Sequence, residues 1–184
     1  DEEAYYMRVM FGWDAMTSER TTDWEISIGV DGGVIMEVMP CFSGGKASHQ
    51  RINEVKDISD TEARVSCFTS RLNPRPTSSV VIKVAGGPSA KVSVTADVLH
   101  GQEPGGCKVA ATVGDLRQND AWGRISDVFS APKLKLGHCY PASALFVTGE
   151  WTDPAPGRDD FYILKVQQKN GQIAWSSPIR CRGD

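Results

Sequence analysis

Apolar side chains recur at every second position over much of this chain. From Ala4 to Trp13, residues Tyr5, Met7, Val9, Phe11 and Trp13 fall on one face, and Tyr6, Arg8 and Met10 on the other. A period of two is that of a strand with one buried side. The same pattern runs through Trp24, Ile26, Ile28 and Val30, through Ala63, Val65 and Cys67, and through Val80, Ile82 and Val84. It returns in Val92, Val94, Ala96 and Val98. Shorter strands are expected at 51–58, 107–113, 125–129 and 134–136, and a longer one at 144–151. No stretch of ten residues or more carries the apolar period of an amphipathic helix.

Turn chemistry divides these runs. Asp31-Gly32-Gly33 predicts a three-residue hairpin loop with Gly in the left-handed position. Val30 then pairs with Val34, Ile28 with Met36 and Ile26 with Val38. A two-residue loop would set Glu37 opposite Ile26 and bury a carboxylate. Gly86-Gly87-Pro88-Ser89 separates two further strands, and 114–124 reads as a polar connection. Near the C-terminus, Asn170-Gly171 suits a two-residue turn, which needs φ > 0 at both positions. That turn sets Val166 opposite Trp175 and Gln168 opposite Ile173. Tyr162, Leu164, Val166, Ile173, Trp175 and Ile179 then share a face. Pro178 has no N–H for a ladder and marks the end of regular pairing. Many short strands with regular turn signals predict an all-β fold, an antiparallel β-sandwich, with a jelly roll as one topology that fits. No linker or composition shift divides the chain, so residues 1–184 read as a single domain.

Composition narrows the functions more than it names one. The 184 residues are 40% hydrophobic, enough for one core. The net charge of -3 gives no overall basic excess. The expectation is therefore no nucleic acid and no membrane insertion. The chain starts without an initiator Met and without a signal peptide, as a mature or excised fragment would, and a secreted or periplasmic location is expected. Five cysteines with no C-x-x-C pair exclude the usual zinc and thioredoxin patterns. They read as buried thiols, with one or two disulfides as the alternative.

Candidate chemistry is sparse. Trp122 sits in a polar stretch beside Asn119, Asp120 and Arg124, and Trp151 lies beside another. An aromatic platform flanked by hydrogen-bonding side chains suits sugar stacking, although a loop Trp folded over a sheet end would carry the same residues. No cofactor is expected. Calcium is the one ion considered, because Asp57, Asp60 and Glu62, or Asp153, Asp159 and Asp160, could supply two or three oxygens. Solvated acidic faces have the same composition. His49, His100 and His138 lack metal-ligand spacing, and Asp97 with His100 is a weak pair, since i and i+3 on a strand point to opposite faces. There is no nucleophile elbow, P-loop or dinucleotide fingerprint.

The tail FYILKVQQKNGQIAWSSPI resembles that of bacterial proteins of poorly known function whose C-terminal β-rich region carries a Y-x-R-V-x-Q-x-(D/N)-G-x-x-A-W-S-S-P-I-W element. Tyr162, Val166, Gln168, Gly171, Ala174, Trp175, Ser176, Ser177, Pro178 and Ile179 match, with Lys165 for the family's Arg and Arg180 for its final Trp. Trp24, Glu25, Ile26, Ile28, Gly33 and Ile35 are similar to the opening of that region, with Ser27 in place of a Gly. In that family a PHP-type metal-dependent phosphoesterase-like domain precedes it. Its metal-binding His and Asp motifs have no counterpart here, so the resemblance implies an accessory β-domain rather than the activity. The expected function is a non-catalytic module that binds carbohydrate or another surface ligand, or packs on a partner protein domain. The alternatives are a hydrolase with a loop-built metal site at Asp97 and His100, and an assembly domain pairing through a sheet edge.

Overall fold

A computed structural model describes residues 3–13, 21–43, 47–48, 51–70, 77–100, 105–124, 133–146, 148–154, 159–167 and 173–181, with the side chains of 47–48, 51–52 and 99–100 outside the description. The chain forms two compact units, Asp1–Phe146 and Val147–Asp184. The first contains β1 (Ala4–Gly12), β2 (Thr21–Cys41), β3 (Ala47–Ser48), β4 (Arg51–Ile52), β5 (Glu54–Lys56), β6 (Glu62–Ser70), β7 (Thr77–His100) and β8 (Gly105–Thr112). A single turn of helix, α1 (Val113–Leu116), leads to β9 (Ala121–Arg124), β10 (Lys133–Leu136), β11 (Tyr140–Pro141) and a 3₁₀ turn at Ala142–Leu145. The protein is all-β.

Nine of these strands make one antiparallel sheet in the order β5-β6-β2-β7-β1-β10-β9, with β8 on β7 and β11 on β1. Two long strands organise it. Residues 23–31 of β2 pair with 91–100 of β7, and residues 33–41 of β2 pair with 79–86 of β7. The hairpin expected at Asp31-Gly32-Gly33 therefore does not form, and the two strands expected on either side of 86–89 are one. Both glycine clusters are corners inside continuous strands, and the two corners face each other. Val30 pairs with Val92 and Val34 with Ala85, not with one another.

The reason is steric. A Cβ on Gly33 would stand 2.7 Å from the Ala85 carbonyl oxygen, and one on Gly86 would stand 2.9 Å from the Ala90 Cβ and 3.2 Å from the Gly33 Cα. Only glycine lets two backbones bend together this closely. Gly32 adopts the left-handed conformation, at φ +71°, within the strand. The long partner β7 satisfies the backbone groups of both arms of β2, so no local turn is needed.

The corners divide the sheet into two halves whose buried side chains share one core. The Phe11 ring of β1 lies 5.5 Å from that of Trp24, on the far half. Trp24 is 1% exposed, and its Nε1–H donates to Thr69 Oγ1 at 2.9 Å. One apolar core results, with Met7, Val9, Ile26, Val65, Ile82, Val94 and Leu134 all buried. Each such side chain contributes about 1.5–3 kcal/mol by leaving water. Every alternating run read from the sequence in this unit is a strand here.

The stretch read as a polar connection holds α1 and β9. Thr112 caps α1: its hydroxyl accepts from the Asp115 N–H, and the Asp115 carboxylate accepts from the Thr112 backbone. Cys67, Cys107 and Cys139 are buried, Cys41 and Cys181 are exposed, and all five are free thiols. Burial pushes the Cys67 and Cys107 thiols up to about 11.

The second unit is two short ribbons. β12 (Phe161–Tyr162) pairs with β15 (Ile179–Arg180), and β13 (Lys165–Gln167) with β14 (Ile173–Trp175). Tyr162 lies opposite Ile179, as the turn argument requires. The inner ladder departs from that register by one residue: Val166 faces Ala174, and Trp175 faces Lys165. The Ser176 N–H donates to the Leu164 carbonyl at 2.9 Å. Between that bond and the Tyr162–Ile179 pair, one strand has Ile163 and the other Ser177 and Pro178. The extra residue absorbs the shift, as in a bulge, at the proline expected to interrupt pairing. The turn itself, Asn170-Gly171, lies outside the described residues, as do 125–129. The strand expected at 144–151 is not formed among its described residues. Ala142–Leu145 is a 3₁₀ turn, and residues 148–151 carry no strand pairing. No described residue of this unit is buried, and Leu164, Trp175 and Ile179 are each at least 60% exposed.

Candidate ligand-binding face

Alternation in β9 turns Ala121 and Gly123 inward and Trp122 and Arg124 outward. Gly123 packs closely there: a Cβ would press to 3.2 Å on the Lys108 carbonyl oxygen of β8. Trp122 thus stands on a strand and not in a loop, on the outer face of the half-sheet, 50% exposed. Lys135 of β10 lies directly opposite Trp122, and Lys133 opposite Arg124.

The indole is braced on two sides. Lys135 Nζ sits 5.2 Å from the ring centroid, within cation–π range. The Trp13 ring is 5.4 Å away at an interplanar angle of 54°. Trp13 follows β1 with φ +64°. A bulky residue in the left-handed region costs on the order of 1–3 kcal/mol, and such strain gathers at functional positions.

Asp120 completes the constellation. Its Oδ2 is 2.6 Å from Lys135 Nζ, and its Oδ1 accepts the His138 backbone N–H at 2.7 Å. The Lys135 ammonium, helped by that N–H, holds the Asp120 carboxyl below its ordinary value. Beyond it the His138 ring meets the Tyr140 ring edge-on at 4.7 Å. Asn119 is exposed in the turn after α1, its N–H bonded to the Asp115 carbonyl.

Of the residues singled out from sequence, Asn119, Asp120, Trp122 and Arg124 therefore belong to one neighbourhood. Trp151 belongs to the other unit. It is 72% exposed, and its ring is 5.9 Å from that of Tyr162. Tyr162 donates to Asp153 Oδ2 at 2.8 Å, and that bond pushes its hydroxyl up to about 12. Trp13, Lys133, Lys135 and His138 were not singled out. Alternation set Trp13 on the same face as Phe11, but β1 ends at Gly12 and Trp13 meets Trp122 instead of joining the core cluster.

Three of the six calcium candidates have neighbours of their own. Asp159 pairs with Arg180 at 3.0 Å, Asp57 lies 4.0 Å from Arg64, and Asp153 accepts from Tyr162. Among the described residues no three His, Cys, Asp or Glu side chains come together as a metal site. Asp97 and His100 lie on β7 rather than in a loop. A pairing shift sets His100 opposite Asp23, while Asp97 lies opposite Glu25.

A shallow depression lies on the other half-sheet, lined by Ser27, Gly29, Glu62, Arg64, Ser93 and Thr95. It lies where Gly29 has no side chain, and it is partly filled by Ser93 Oγ, which donates to the Gly29 carbonyl at 3.4 Å. It has no aromatic wall, so the Trp122 face is the better candidate. No family model, curated protein or solved structure matches the chain, and the resemblance of the tail rests on its quoted residues alone.

Proposed function

We propose that the chain is a non-catalytic β module that binds carbohydrate on the outer face around Trp122. The observation that carries this reading is the braced, half-exposed indole of Trp122, held between Lys135 and Trp13 beside a fixed carboxylate. Sugars present C–H faces that pack on an indole and hydroxyls that need donors and acceptors at the rim. Asp120 accepts at that rim, and Lys135 and Arg124 donate. Pre-positioned groups of this kind lose little entropy on binding.

The test is calorimetric titration of the whole chain with a panel of neutral and acidic oligosaccharides. Binding to at least one is expected. Trp122→Ala should weaken it by about 2 kcal/mol, a factor of about 30, as truncation of a central aromatic anchor does. The thermal midpoint should change little, because half of the ring is already in water. Failure of every sugar to bind, or binding indifferent to Trp122→Ala, would overturn the reading.

A further inference from the structure

The outer positions of the half-sheet around Trp122 carry a regular line of cations. Arg124 is on β9, and Lys135 lies one strand over and two residues along. Lys135 faces Met10 of β1, and Arg8 lies two residues beyond Met10. Arg8 faces Val81 of β7, and Lys83, two residues further, faces Tyr6. Each step crosses one strand spacing and one two-residue repeat, about 8 Å, so the diagonal is about 25 Å long.

Aromatic rings flank this diagonal at both ends. Trp122 is beside Lys135, and Lys83 Nζ lies 5.5 Å over the Tyr6 ring. Arg8 and Arg124 are exposed, and among the described residues neither meets a carboxylate. The acids nearest in register are Asp120, beside Lys135, and Glu37, opposite Lys83. A chain whose net charge is -3 has thus gathered an excess of cations on one face.

We infer that this diagonal selects an acidic polysaccharide, one bearing a carboxylate on each or every second sugar. The inference rests on the carbohydrate reading and specifies its ligand. Charge complementarity carries it: cations at fixed intervals beside aromatic platforms match carboxylates at fixed intervals on stackable rings. Nucleic acid is the less favoured occupant, because it carries a charge on every nucleotide and rewards a dense run of cations, whereas this diagonal holds the Asp120 carboxylate against Lys135.

The probe is an oligogalacturonate, compared with its methyl ester, which keeps the ring and removes the charge. Titrations of the whole chain run at low and at raised salt. The acid form is expected to bind at least tenfold tighter than the ester, and its advantage should shrink as salt rises. Arg8→Glu should weaken the acid form about tenfold and leave the ester within twofold. Lys108→Glu, on the other half-sheet, should change neither. Equal binding of acid and ester would overturn the inference and leave the carbohydrate reading standing. Absence of binding to either form would overturn it too, with the neutral sugars then deciding the broader reading. Tighter binding of an oligothymidylate than of the oligogalacturonate would also overturn it, in favour of single-stranded nucleic acid. The comparison of acid with ester on the unaltered protein holds even if a variant fails to fold.

Discussion

The first unit has two outer faces built by the same alternation over one core, and they differ in chemistry: one joins cations to aromatic rings, the other mixes acids, bases and hydroxyls. One presents Arg8, Lys83, Arg124 and Lys135 with Trp122 and Tyr6. The other presents Asp23, Glu25 and Asp97, with Arg64 opposite Ser27 and Lys108 opposite Thr95. Glu25 even lies directly opposite Asp97, a like-charge pairing that costs stability. The Ser66 hydroxyl donates to Glu25 at 2.6 Å and offsets part of that cost. The inner face of each strand is dictated by the core, so its residues say little about function. The outer face is left free by the fold, so a difference between two outer faces is what bears on the proposed function.

The largest effect is expected from altering the corner that separates the two faces. Gly86→Val would push its Cβ into Ala90 and into the Gly33 backbone. A loss of about 2–3 kcal/mol is expected from the forced overpacking, read as a lowered urea midpoint, with sugar binding lost alongside. A variant as stable as the parent would mean that the corner is not a constraint.

A smaller effect is expected from pH at Asp120. Its folded carboxyl titrates below its unfolded value. The stability it contributes is therefore complete above the ordinary Asp value of about 4 and is lost as pH falls through the lower folded value. Melts of the parent and of Asp120→Asn should differ equally at pH 7 and pH 5 and converge in strong acid. A gap that closes between pH 7 and pH 5 would contradict the Lys135 pairing.

Smallest is the change on the mixed-charge face. Glu25→Gln relieves its opposition to Asp97, and a gain of a few tenths of a kcal/mol is expected, with sugar affinity unchanged. An affinity change there would move the site to the other face.

Alternation made most of this fold legible. The strands around Met7, Ile26, Val65, Ile82 and Val94 could be placed because their inner faces are uniformly apolar. The glycine corners could not be told from hairpins, since both need the same conformational freedom at Gly32 and Gly33. What decides is a long-range partner, β7, whose claim on both arms of β2 leaves no trace in the local sequence. Trp122 was legible as a candidate but not as a strand residue. Ala-Trp-Gly-Arg has no apolar period, and its pairing depends on Lys133 and Lys135. The bracing by Trp13 and Lys135 is tertiary and left no local pattern. Asn170-Gly171 offered the clearest turn chemistry in the chain, yet it belongs to the unit with no buried described residue. A strong local signal there did not imply a core, and the extra residue at Ser177-Pro178 shifted the inner register against it.

A sugar site at Trp122 can be located by an amide chemical-shift titration of the isotope-labelled chain with the tightest-binding oligosaccharide from the panel. Perturbations are expected to concentrate at 121–124, 133–138 and 6–13, and at the Trp122 indole N–H, with 27–29, 62–64 and 93–95 unmoved. Perturbations centred on that second set, beside the Gly29 depression, would contradict a site at Trp122.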